Sequence, residues 1–176
     1  MTVAVKRGTG AKRLQSALND LDRHTLKVGW VAGKQYPGTR MTTAQVAAIS
    51  EFGAPAKNIP PRPIIRPTII KDRNKWSKIT TQESKNVISG KSTVKNLYEV
   101  LGNFASGDIR KMITTIKSPP LKPATIRARE RTYTRKSNKA ERQAQIAQRM
   151  QSTTLAKPLV FTKVLLNSCT YEVSKA

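Results

Sequence analysis

The sequence predicts an α+β protein: a small, mostly antiparallel sheet packed against several helices, with a long helix and extended basic and proline-rich appendages. Two short alternating segments, at 25–32 and from Cys169 to Val173, have the two-residue period of half-buried strands. Helical apolar stripes fill much of what lies between. Five of the ten prolines crowd into Glu51 to Pro67, where neither a helix nor a central strand can run.

Residues 11–22 read as a short amphipathic helix, since Leu14, Ala17, Leu18 and Leu21 follow the i, i+3, i+4, i+7 spacing. In 25–32, Leu26, Val28 and Trp30 face one side and Thr25, Lys27, Gly29 and Val31 the other. Tyr36-Pro37-Gly38 marks an exposed loop. A second helix starts near Thr42 or Thr43, either of which can cap it, turns Val46, Ala47 and Ile49 inward and ends at Gly53.

The segment 54–67 is expected to be a stiff, extended connector. Each proline fixes φ, removes a donor and biases its predecessor toward extended backbone. Such a chain loses little entropy on docking. Its cation Arg62 stands between Phe52 at one end and Ile64-Ile65 at the other, which suits a fixed joint within a subunit or between subunits. An arginine between prolines projects from pre-ordered chain and pairs with a carboxylate, Glu51 being one candidate, or with carbonyls.

Pro67 fits the first turn of the next helix, about Thr68 to Val87, with Ile69, Ile70, Trp76 and Ile79 as its apolar markers. Ser89-Gly90 breaks it. Ser92 is the expected cap of the longest periodic segment, Thr93 to Lys117, striped by Val94, Leu97, Leu101, Phe104, Ile109, Met112 and Ile116. Gly102 and Gly107 inside it mark either close contacts or a slight bend. Ser118-Pro119-Pro120 ends it. A short helix at 123–131 and another near 138–150 follow, then a short buried helix carrying Leu159, Val160, Val164, Leu165 and Leu166, and a last strand. The whole is read as a single domain, 1–176.

At 38% hydrophobic residues, the chain falls below the ~45–50% apolar usage of typical domains, so a modest core with solvent- or partner-covered extensions is expected. It carries 33 basic and 10 acidic residues, a formal +23, which attracts polyanions or acidic protein surfaces. The excess is sharpest from Lys122 to Arg149. There Lys122, Arg127, Arg129, Arg131, Arg135, Lys136, Lys139, Arg142 and Arg149 face only Glu130 and Glu141. Tyr133 is the sole aromatic in that stretch, so any contact with nucleic acid would be to the backbone.

An enzyme is not expected. His24 is the only histidine, Cys169 the only cysteine, the carboxylates are scattered, and Gly8-Thr9-Gly10 lacks the strand and spacing of a phosphate loop. No cofactor or metal is implied. One cysteine allows no intramolecular disulfide. The start lacks an apolar secretory segment and no apolar run approaches the ~20 residues of a membrane span, so cytoplasmic synthesis without a membrane partner is expected.

The order of these signals resembles that of the tail-component and tail-completion proteins of tailed bacteriophages. The residues that carry the likeness are Val28-Gly29-Trp30-Val31, Glu51-Phe52-Gly53, Ile59-Pro60-Pro61-Arg62-Pro63-Ile64-Ile65-Arg66, Pro120-Leu121-Lys122-Pro123-Ala124-Thr125-Ile126 and Lys157-Pro158-Leu159-Val160-Phe161-Thr162. It covers about three quarters of the chain. Lys163 stands where that family usually has glycine, and the basic stretch 127–152 looks like an insertion. The resemblance implies an α+β virion protein forming a homo-oligomeric ring, commonly six-fold with twelve as the alternative, at the neck or head-proximal end of the tail. Its partners would be head–tail connector or portal-side proteins, tail tube or sheath proteins, and DNA in the channel. The implied subunit interface is Phe52, Ile59, Pro60, Arg62, Pro63, Ile64, Ile65 and Arg66, with Tyr36 in the exposed loop. Lys122, Arg127, Arg129, Arg131, Arg135, Lys136, Lys139 and Arg142 would meet a polyanion or an acidic neighbour. The alternative is a basic accessory protein that contacts the DNA backbone.

Overall fold

A computed structural model describes residues 8–31, 33–134, 159 and 163–175. The elements are α1 (Thr9–Asp22), β1 (His24–Gly29), α2 (Thr43–Phe52), a 3-10 turn (Pro55–Lys57), α3 (Ile65–Ile88), α4 (Val94–Thr115), α5 (Pro123–Thr134), α6 (Val164–Ser168) and β2 (Thr170–Lys175). The strands pair antiparallel, which gives the α+β class with a two-stranded sheet among the described residues. No helix of the described residues is long and apolar enough to cross a membrane. The chain gathers into two compact units, one of residues 1–32, 66–109 and 169–176, the other of 33–65 and 110–168.

The first unit holds the sheet. Val28 faces Tyr171 and Leu26 faces Val173, while Lys27 lies opposite Glu172 with both exposed. The strand stops earlier than its alternation suggests, at Gly29, whose φ of 136° is open only to glycine. Trp30 is buried just beyond it. On α1, Ala17 is buried and Leu21 half-buried, but Leu14 and Leu18 remain exposed. The expected four-residue apolar face is therefore narrower, because the helix is buried through its smallest member.

The helix expected at 68–87 starts three residues sooner and, at 24 residues, outruns the 22 of α4. Gly90 at φ 80° follows its end. Thr93, not Ser92, caps α4: its Oγ1 accepts from the Asn96 amide at 3.2 Å, while Ser92 Oγ accepts from the Asn96 side chain. Along α4, Val94, Leu97, Ala105 and Ile109 are buried, whereas Phe104 is exposed beneath the Lys75 ammonium, 5.2 Å from its ring centroid. Asp108 accepts from Lys75 Nζ at 2.7 and 2.8 Å and from Trp76 Nε1 at 2.8 Å, which joins α3 to α4.

The two glycines of α4 differ. A Cβ on Gly102 would lie 2.5 Å from a ring carbon of Tyr171, so this glycine admits β2 against the helix. A Cβ on Gly107 would meet nothing within 4 Å. Cys169, fully buried, directs its Sγ at the Ser106 carbonyl, 3.9 Å away. His24 joins α1 to β1, its Nδ1 2.6 Å from the Asp20 carbonyl.

In the second unit, α2 begins with a capping box. Thr42 Oγ1 accepts from the Gln45 amide, and the Gln45 side chain accepts from the Thr42 amide. Ala47 is buried, and α2 packs on α6, where Leu165 is buried. Residues 110–115 of α4 belong here and contribute fully buried Ile113. The helix expected at 123–131 runs on to Thr134. Val160, the helix expected near 138–150, and most of the stretch 127–152 lie outside the described residues.

Candidate functional site

The stretch from Ser50 to Ile65 is not extended throughout, as its prolines suggest. Pro55 opens a 3-10 turn that Asn58 ends in a left-handed conformation, φ 51°, which asparagine tolerates. Ala54 and Ile59 close this turn with two backbone hydrogen bonds, 2.9 and 3.1 Å. Only after Ile59 does the chain run irregularly and without helix to Ile64.

Gly53 makes the corner possible. It sits at φ 76°, and a Cβ there would come within 2.9 Å of both the Ile59 carbonyl and the Pro61 nitrogen. Its neighbour Glu51 is buried, and one carboxylate oxygen accepts from the amides of Ile64 at 2.5 Å and Ile65 at 2.9 Å. These amides stand at the start of α3, where a helix has unpartnered donors and favours negative charge. Residue 64 is an isoleucine and cannot cap, so a side chain from 13 residues upstream does it.

Arg62 fixes the other side. Its amide donates to the Ser50 carbonyl at 2.6 Å. Its guanidinium is buried and donates through Nε to the Pro119 carbonyl at 2.9 Å and through Nη2 to the Pro120 carbonyl at 3.1 Å. Of the partners expected for it, carbonyls are the ones it finds. Residues 116–122 are outside any helix, so these carbonyls, on half-buried Pro119 and exposed Pro120, have no intrahelical donor. The planar fork of arginine serves two at once. Burial lowers the Arg62 pKa, yet a guanidinium remains protonated at neutral pH. Hydrogen bonds to a charged group each contribute about 1.5–3 kcal/mol, so the joint rests on directional bonds rather than on area.

The residues expected at an interface divide accordingly. Arg62 and Ile64 are spent inside the chain, and Ile59, Pro60, Pro63 and Ile65 are half-buried along the joint. Phe52 is 69% exposed, beside the buried Glu51 in sequence. Tyr36 is half-buried in a loop that folds back through its amide to the Met41 carbonyl, 2.8 Å away, and borders an open cleft of about 470 Å³. Arg66 is exposed in the first unit. Of the basic set, Lys122, Arg127 and Arg131 are exposed and Arg129 half-buried, the arginines being on α5. Arg135, Lys136, Lys139 and Arg142 lie outside the described residues.

Three participants are not foreseen in these roles by sequence reasoning. Glu51 as a distant cap leaves no local signature, because capping patterns span three residues. Pro119 and Pro120 announce the end of a helix, and the same loss of helix frees the carbonyls that Arg62 takes. Among the described residues, no group of three His, Cys, Asp or Glu side chains is placed to hold a metal ion. No family model, curated protein or solved structure matches the chain.

Proposed function

We propose that this chain is a structural virion protein whose copies form a ring at the phage neck or head-proximal end of the tail, joining head connector to tail tube as a completion or terminator subunit. The observation that supports it most is the joint. The Glu51-Phe52-Gly53 and Ile59-to-Arg66 motifs that carry the resemblance converge on one internally braced corner, with Glu51 and Arg62 buried and Phe52 left outward. A braced corner that presents an aromatic side chain is suited to docking, because ordering it costs little. Ring packing gives such exposed apolar groups a partner. Exposed Ile70, in the first unit, is a further candidate for coverage.

Native mass spectrometry and negative-stain microscopy of the full chain, alone and with the connector of its phage, test this reading. Ring-shaped oligomers are expected, and antibody label should fall at the head–tail junction of mature particles. Phe52→Glu should abolish rings while leaving the circular dichroism spectrum unchanged. A chain that stays monomeric with the connector present and is absent from virions overturns the proposal.

The charge of the second unit favours a second reading, an accessory protein contacting DNA backbone. That unit holds 18 basic and three acidic residues, a net +15 of the total +23.

A further inference from the structure

The sheet of the first unit has two strands among the described residues and therefore two open edges, one on β1 and one on β2. In an antiparallel pair every second residue exchanges its amide and carbonyl with the partner strand, and the residues between aim theirs outward. Among the described residues, no backbone hydrogen bond outside the ladder reaches 24–29 or 170–175. We propose that these edges pair between copies of this chain, β2 of one subunit against β1 of the next, so that a continuous sheet closes the ring. The proposal rests on the ring reading and names a surface through which the copies join.

An exposed edge pairs readily with another strand, and proteins blunt it with a proline, a bulge or a charge. Neither strand holds a proline, and the register runs unbroken from His24 with Lys175 to Gly29 with Thr170. Each strand carries one exposed charge near its middle, and the two are opposite: Lys27 on β1 and Glu172 on β2. Among the described residues, neither forms an ion pair within its own chain. Leu26, Val28, Tyr171 and Val173 are only half-buried, as side chains along an open edge are, and a neighbouring strand would cover them further.

Charge and geometry together fix the occupant and the order. Two β1 edges would bring two Lys27 side chains together with no acid, since 24–29 contains none, and two β2 edges would bring together two Glu172. β2 against β1 instead sets Glu172 opposite Lys27, a cross-strand pair of opposite charge. Unlike edges joined in turn make a heterologous contact, which closes into a ring, whereas like edges make isologous, two-fold contacts. Rotation about a ring axis keeps the direction of strands inclined to that axis, so β2 runs antiparallel to the neighbouring β1, as it does to its own. The internal register carries over as well. Residue pairs that exchange no bonds inside the chain are those whose groups point outward, so the same register between copies matches outward group to outward group. It also keeps Tyr171, which meets Gly102 of α4, on one face with Val28, and Glu172 with Lys27 on the other. A slip of one residue would invert the faces.

The test follows assembly of the full chain as a function of concentration. Lys27→Glu alone and Glu172→Lys alone each set like charges across the contact, and each should raise the concentration for half assembly about fivefold. An equimolar mixture of the two should return it to within about twofold of the unaltered chain, because every β2 edge then finds a β1 edge of opposite charge. The charges inside each subunit stay mismatched in that mixture, so recovery reads the contact between copies and not the fold. Under mild oxidation, Lys27→Cys mixed with Glu172→Cys should give linked dimers, and neither variant alone should. Opposed Cα atoms about 5 Å apart lie within disulfide reach, and the native Cys169 is buried. Rings that form without such a link and tolerate both charge reversals overturn the edge contact and leave the ring reading standing. Linking of Lys27→Cys copies to one another overturns the head-to-tail order. Protection of the outward amides of β1 or β2 from hydrogen exchange in a dilute, monomeric sample assigns the edge to another part of the same chain and overturns the proposal. A chain that stays monomeric with the connector present overturns both readings.

Discussion

The first unit closes over Ala17, Trp30, Val94, Leu97, Ala105, Ile109 and Cys169, with Thr68 and Ser106 as its buried polar residues. The second closes over Ala47, Ile64, Ile113 and Leu165 together with Thr43, Ser50, Glu51 and Arg62. Apolar burial is non-directional and tolerates rearrangement of similar volume. A buried carboxylate and guanidinium are held only by donors and acceptors in the right places, and removing one partner strands the other. The two units should therefore fail differently: the first through shape, the second through stranded polar groups. The unit with the less apolar interior is also the one whose sequence carries most of the positive charge.

The sharpest way to break this contrast is Arg62→Ala. It leaves the Pro119 and Pro120 carbonyls without their donors and should cost about 2–4 kcal/mol in denaturant unfolding. Lysine at the same place should recover little, since one ammonium does not reproduce the fork. Because the guanidinium is buried within its own chain, the damage should appear in folding before assembly. A loss below about 1 kcal/mol would mean that water replaces the arginine and that the joint is not held by it.

Gly102→Ala probes shape in the first unit. Its new methyl meets the Tyr171 ring at 2.5 Å and should cost about 1–3 kcal/mol by overpacking. Combining it with Tyr171→Ala should give a loss smaller than the sum of the two single losses. Strict additivity in that double-mutant cycle would deny the contact.

Thr43→Val returns to the second unit with the opposite sign. Thr43 is fully buried and its Oγ1 has no hydrogen-bond partner among the described residues. An isosteric methyl should raise stability by about 1 kcal/mol in the same assay. A loss would show that the hydroxyl is bonded in solution.

Gly107→Ala, on the same helix as Gly102, enters empty space and should stabilise by at most about 1 kcal/mol, read as a small rise in Tm. Destabilisation there would place something against that face of α4.

How much is legible in the sequence follows from the range of each interaction. Period-two alternation marks Leu26 and Val28, which lie opposite Val173 and Tyr171, as half-buried, because strand patterning is local even when its partner is distant. The cap at Thr42 and the corner at Gly53 are readable for the same reason. Phe104 fits the helical stripe and is nevertheless exposed, since a stripe gives a direction and not what lies opposite. Ala105 and Ile113 escape notice as core for the same reason. In the joint, prolines announce rigidity and mislead about the turn at 55–57. The contacts of Arg62 with residues 57 and 58 positions away, and of Glu51 with amides 13 and 14 away, leave no periodic trace.

The antiparallel pairing of β1 with β2 has a consequence for synthesis. The strand at 24–29 leaves the ribosome well before its partner at 170–175 and must wait for it. An isolated strand or hairpin is at best marginally stable in water. Copies cut short before residue 170 thus never acquire the segment that meets Gly102, and proteases can recognise them as incomplete.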